Sequence, residues 1–272
     1  MILNITKNHS YHGIWDGIYY FKPADYPNLT NWELKKLILF FDYESKHNRK
    51  TEIVCENDDI VQAVTNALKN PKLYLNTKKP TIITNCTACK QNGCLTDFLC
   101  HGTEIKNAKS IFACGKILSA VRARNKTAQE LAKEPRAASK DPLDYFDYIM
   151  LSWGNCIAGD SLVMERTLGR FPNEHDFSIG FKPGVRFYFE YDIIKNHKDF
   201  TNDGLHPAKI KNELNLEENL YCCIIPKNHQ LEFEKIIPPS LADRVFYLEN
   251  DCKDIWNWTE KVYNKILEVR NA

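Results

Sequence analysis

The chain predicts an α+β fold in two parts: an N-terminal α/β extension over residues 1–80, and a domain over 81–272 built on a largely antiparallel sheet with flanking helices. Three observations carry that expectation. Before residue 80, apolar residues recur mainly at helical spacing. From about Thr81 onward, short β-branched and aromatic runs alternate with segments rich in Gly, Asn, Asp and Pro. The end of the chain, 254–269, puts Ile255, Trp258, Val262, Ile266 and Val269 on one face of an amphipathic helix.

The elements follow in order. Leu34, Leu37, Ile38 and Phe41 form the buried stripe of a helix over 32–42. A strand is expected over 51–55. Next comes a helix capped near Asn57 or Asp58, carrying Ile60, Val61, Val64 and Leu68, and Asn70-Pro71 ends it. A short apolar run, 97–100, leads through His101-Gly102-Thr103 into a helix over 104–114, with Ile105, Ala108, Ile111 and Phe112 on one face. Gly115 stands where a C-cap needs positive φ, and 116–119 reads as a strand. Further strands are expected over 148–152, 185–190, 220–225, 231–237 and 244–248. Trp153-Gly154-Asn155-Cys156 and the run from Asp203 to Lys209 read as turns.

Composition bounds the function. The 272 residues are 43% hydrophobic and 26% charged, ordinary for a globular protein, and the net charge of +1 supplies no global attraction to nucleic acid. The polar opening lacks the apolar core of a signal peptide, and no apolar run approaches the roughly 20 residues that span a bilayer. A cytoplasmic protein without membrane contact is expected. In that setting ten cysteines point to reduced thiols or metal rather than disulfides.

Four cysteines fall within fifteen residues: Cys86, Cys89, Cys94 and Cys100. Two thiolates in Cys-x-x-Cys reach one tetrahedral ion, so a structural zinc knuckle over 86–101 is one reading, and buried or surface thiols are the other. A catalytic zinc deaminase is disfavoured, because no His-x-Glu precedes the cysteines.

The order strand, His101-Gly102-Thr103, helix, glycine, Ile-Leu-Ser resembles the opening of the ADP-ribosyltransferase fold. It is closest to the branch in which a His-Gly-Ser/Thr tripeptide grips the nicotinamide half of NAD. Glu232-Phe233-Glu234 followed by Ile-Ile-Pro-Pro looks like the catalytic strand of that superfamily, and in a strand the two carboxylates share a face. Asp160 to Arg166, followed by Val185-Arg186-Phe187-Tyr188-Phe189, is similar to a region of DNA-targeting toxins of the DarT type. There an arginine precedes a Val-Pro-Phe-Tyr-Phe-like strand; here Arg186 stands in place of the proline.

The resemblance implies a split antiparallel sheet and NAD as substrate. It implies that His101, Gly102 and Thr103 hold nicotinamide and its ribose, with Tyr188 stacking on the ring. Arg166 would take the pyrophosphate, Glu234 would stabilise the oxocarbenium-like transition state, and Glu232 would orient or deprotonate the acceptor. The expected activity is mono-ADP-ribosylation of a macromolecule, a nucleic-acid base ahead of a protein. A toxin or phage-defence role, with an antitoxin or immunity partner, goes with it. The competing readings are a zinc-knuckle nucleic-acid-binding protein without catalysis, using basic stretches such as 106–116 and 122–126, and an NAD glycohydrolase.

Overall fold

The computed structural model describes residues 1–8, 13–15, 17–83, 93–134, 141–170 and 172–272. It is a mixed α+β architecture with a multi-stranded sheet and flanking helices.

The N-terminal unit has a sheet of its own. β1 (Ile2–Ile5) lies between two parallel neighbours, β3 (Ile18–Phe21) and β4 (Glu52–Cys55), while β2 (Gly13–Trp15) runs antiparallel on β3. α1 (Asn31–Lys46) starts at a capping box, in which Thr30 accepts from the Glu33 amide and Glu33 accepts from the Thr30 amide. α2 (Asp58–Lys69) is capped by Asn57. Both helices pack onto Leu3, Ile5, Tyr19 and Phe21. In α1 Leu34, Leu37 and Ile38 are buried as expected, Phe40 is fully buried beside them, and Phe41 is partly buried against the same core.

A short hairpin, β5 (Ile82–Ile83) with β6 (Cys94–Leu95), leads into β7 (Phe98–Thr103). The chain continues through α3 (Ile105–Cys114), β8 (Lys116–Leu118), β9 (Tyr148–Trp153) and α4 (Ala158–Leu168). β10 (Val185–Glu190), β11 (Phe200–Thr201), β12 (Ala208–Lys211) and β13 (Glu213–Asn215) follow. β14 (Cys222–Pro226), β15 (Val245–Leu248) and α5 (Ile255–Asn271) complete it. The principal sheet has the order β11-β12-β9-β7-β10-β14-β15, antiparallel except for the β14–β15 edge. β8 and β13 form a separate pair. Gly115 closes α3 at φ 68°, the left-handed C-cap its position demands.

The sheet is uneven at its centre. β7 pairs with β10 along all six residues, Phe98↔Glu190 to Thr103↔Val185, but with β9 only at Leu99↔Trp153 and Cys100↔Ser152. Beyond Cys100 the two central strands part.

One expected strand is absent. Residues 231–237 do not form a strand; Gln230–Phe233 is a helical turn. Leu231 is 75% exposed while Phe233 is fully buried, so the apolar alternation that suggests a strand does not define a buried face. Helical neighbours hold the turn instead. Gln230 donates to Glu234 at 2.6 Å, four residues on, and His229 lies 3.0 Å from Glu232, three residues on. The Pro238-Pro239 pair that follows has no amide hydrogens for a ladder. β15 takes the edge of the sheet beside β14.

Candidate functional site

The end of β7 is where the sheet divides, and its alternation sends neighbouring residues to opposite faces. His101 stands opposite Phe187 of β10 and shares a face with Leu99 and Thr103, toward the core that contains Phe112. Cys100 and Gly102 stand opposite Tyr188 and Arg186, toward the face covered by α5.

His101 is half-buried and is the first β7 residue past the β9 ladder. Burial pushes its imidazole down to about 4, and the positive charge of Arg166 acts in the same direction. A hydrogen bond to the Met150 backbone on β9 opposes them. At neutral pH the ring is therefore uncharged and keeps one donor and one acceptor nitrogen.

Gly102 lets α4 reach the strand. A Cβ built there would stand 3.3 Å from Asp160 Oδ1 and 3.3 Å from the Gly159 carbonyl carbon, and one on Gly159 would stand 3.2 Å from the Gly102 amide. The two glycines are thus a backbone-to-backbone contact between α4 and β7 that side chains would open. Gly184 does the same for the turn before β10, where a Cβ would fall 2.4 Å from the Thr103 carbonyl oxygen.

On the other face lies an ion pair that the sequence does not announce. Arg186 is fully buried; its guanidinium donates to Asp160 in the first turn of α4, to Thr259 Oγ1 of α5 at 2.6 Å, and to Tyr188 Oη at 3.4 Å. Burial alone would depress the arginine, and the Asp160 carboxylate more than reverses it. The neighbouring Cys100 thiol is pushed up to about 12, chiefly by burial. It is a packed core thiol, not a reactive one.

The expected site residues separate into two places. His101, Gly102, Thr103 and Arg166 belong to the β7–α4 junction, with Arg166 exposed and Thr103 buried. Tyr188 is in the same neighbourhood but fully buried on the opposite face from His101, so it is core and offers no ring for stacking. Glu232 and Glu234 stand at a helical turn and not on a strand. Glu232 is exposed and bound to Lys109 and His229, and the Lys109 contact holds its carboxyl down at about 2. Glu234 is exposed, accepts from Gln230, and its charge acts on Tyr247 of β15. Glu232 is thus tied to α3, the helix that follows Thr103, and Glu234 lies by β15. The carboxylates are helical-turn surface groups beside the sheet edge, which corrects the catalytic-strand expectation.

Of the four clustered cysteines, Cys86 and Cys89 lie outside the described residues. Cys94 and Cys100 are both buried, and among the described residues no group of three His, Cys, Asp or Glu side chains could hold a metal ion. Cys100 and His101 face opposite sides of β7, so they do not converge on one ion from that strand.

A second buried cluster joins the two parts of the chain. Lys209 on β12 is fully buried, donates to Tyr43 Oη at 2.7 Å and lies 3.3 Å from Asp203 Oδ2. Its ammonium is 4.1, 3.8 and 4.4 Å from the ring centroids of Tyr43, Tyr145 and Tyr148. Asp203 also accepts from the amides of Leu205 and His206, and its carboxyl is held far below the usual range: burial opposes this, and the charges of His206 and Lys209 outweigh it. Gly204 in the same loop meets α1 so closely that a Cβ would fall 2.0 Å from the Lys36 carbonyl oxygen. The 203–209 run, read from sequence as a turn, is therefore half clamp and half strand. Ala208, Lys209 and Ile210 are all buried, so no alternation in this run marks the buried cation.

No family model, no curated protein and no solved structure matches the chain.

Proposed function

We propose that the mouth between β7 and β9 receives the nicotinamide half of NAD, and that the chain is an NAD-dependent ADP-ribosyltransferase acting on a macromolecule. The observation that carries this reading is the position of His101, at the point where the two central strands stop pairing. The neutral imidazole of His101 offers a donor or acceptor there. Arg166 on the adjoining helix has the forked geometry that suits a pyrophosphate.

The reaction would break the bond between ribose C1′ and the nicotinamide nitrogen and join C1′ to a nucleophile of the acceptor, with nicotinamide leaving. On this reading Glu232 and Glu234, which stand at a helical turn rather than on a strand, are not assigned to the developing charge on C1′. Titration calorimetry with NAD, together with labelled NAD offered to DNA, RNA and protein, tests the reading. His101→Ala and Arg166→Met are expected to weaken NAD binding at least tenfold. Wild-type protein that binds no NAD at millimolar concentration, or variants that bind as well as wild type, would overturn it. Label recovered only as free ADP-ribose would assign water as the acceptor.

A further inference from the structure

We infer that the Arg186–Asp160 ion pair is the positioning device of this site: it fixes the first turn of α4 on Gly102 and thereby sets where Arg166 stands relative to His101. The inference rests on the NAD reading only for its kinetic consequence.

A fully buried ion pair is a poor source of stability, because desolvating two charges consumes most of what their attraction returns, and apolar residues of similar volume commonly serve as well. Arg186 shows that cost directly: its Nε is buried without a hydrogen-bond partner. The surroundings on that face are Cys100, Tyr188, Cys222, Ile224 and Trp258, a setting in which an aliphatic side chain would pack without penalty. A charged residue here has to be accounted for by something other than packing.

Direction supplies the account. The closest backbone approach of α4 to β7 is Gly159 against Gly102. Such a contact permits close approach but does not fix the helix along or around its axis. The guanidinium does. It is anchored in the centre of the sheet on β10 and makes directional bonds to Asp160 on α4 and to Thr259 on α5. Three elements therefore take their relative positions from one side chain. From Asp160 to Arg166 is six residues, about 9 Å along the helix axis. A slide or roll at Asp160 is carried to Arg166 in full. At the site end of α4, Thr167 Oγ1 donates to Glu104 at 3.4 Å.

The test uses Arg186→Met combined with Asp160→Ala, which removes both charges together and leaves neither one uncompensated. Arg166→Met is the comparator. NMR titration of the His101 imidazole reports whether Arg166 is still in place, because the guanidinium is one of the groups that depress it. The double variant is expected to unfold in one transition near the wild-type midpoint. Its His101 pKa should rise, as in Arg166→Met, since a like charge has moved away. The KM for NAD should rise about tenfold, with a smaller change in kcat.

A folded double variant whose His101 titrates as in wild type overturns the inference. If the double variant does not fold, Arg186→Lys decides, since it keeps the charge and gives up the fork. A partial rise in the His101 pKa supports the inference, and an unchanged one overturns it. If wild-type protein binds no NAD, the functional reading fails by itself, and the His101 titration still decides the role of the pair.

Discussion

Replacing Lys209 with methionine removes one cation from a chamber that has been built to hold it. Methionine nearly matches the lysine stem in volume, so no large cavity opens, and the effect is electrostatic. Asp203 is left fully buried, with the His206 imidazole at 2.8 Å as its remaining ionisable partner. Removing one member of a buried pair costs about 3–5 kcal/mol, and three tyrosine rings lose a cation within 4.4 Å of each centroid. Because the His206 contact to Asp203 remains, we expect the low end of that range, about 3 kcal/mol at pH 8. At roughly 2 °C per kcal/mol for a chain of this size, the midpoint should fall by about 6 °C at pH 8. Urea titration followed by tryptophan fluorescence measures it. Lys209→Met with Asp203→Asn should recover most of the loss, since no charge is then stranded. A single variant costing under about 1 kcal/mol, or a double variant no better than the single, would refute the reasoning that the chamber is held together by its charge pair.

Three other outcomes follow from the geometry. His101, with its pKa lowered to about 4 from 6.5, stays neutral in the folded chain while the unfolded chain takes up a proton. Stability is therefore fully present above pH 6.5 and declines toward pH 4, by about 2–3 kcal/mol once partial exposure is discounted; an NMR pKa at or above 6.5 would contradict it. Glu232→Gln and Glu234→Gln should leave both the melting temperature and any nicotinamide release at wild-type levels, because both carboxylates are exposed on a helical turn by the sheet edge; loss of release in either variant would return them to the site. Gly204→Ala puts a Cβ 2.0 Å from the Lys36 carbonyl oxygen at a φ of +76°, and should destabilise by about 3 kcal/mol or more in a urea melt. Wild-type stability in the Gly204→Ala variant would mean that the loop does not seat on α1.

Legibility tracked how much of each element's evidence was local. The segment from β7 through α3 to β8 reads from the sequence because each part has a local cause: the apolar run, the helical face of Ala108, Ile111 and Phe112, and the positive φ of Gly115. The strand expected over 185–190 is β10, residue for residue, and the helix expected over 254–269 is within two residues of α5. What the sequence hid depends on partners far along the chain. Lys209 reads as a turn residue until Tyr43, Tyr145 and Tyr148 surround it. Arg186 reads as a departure from a motif until Asp160 and Thr259 meet it. β1 and β3 are four-residue strands whose pairing is parallel, so no hairpin turn announces it. The 231–237 error has the opposite cause. Leu-Glu-Phe-Glu satisfies a two-residue alternation by chance, and i to i+4 pairing within the turn, invisible to a strand reading, decides the conformation.

The tyrosine chamber also has a history in time. Tyr43 and the lysine it binds are separated by 166 residues. The four-stranded N-terminal sheet and the helices α1 and α2 that cover it are complete by Lys69 and can assemble as soon as they leave the ribosome. The chamber stays open until β12 emerges, 166 residues after Tyr43 and so about 8–33 s after it at 5–20 residues per second. For that interval α1 exposes the surface against which Gly204 and Lys209 will close. A chain stopped before Lys209 would carry this face permanently, a mark by which quality control could tell an unfinished product from a finished one.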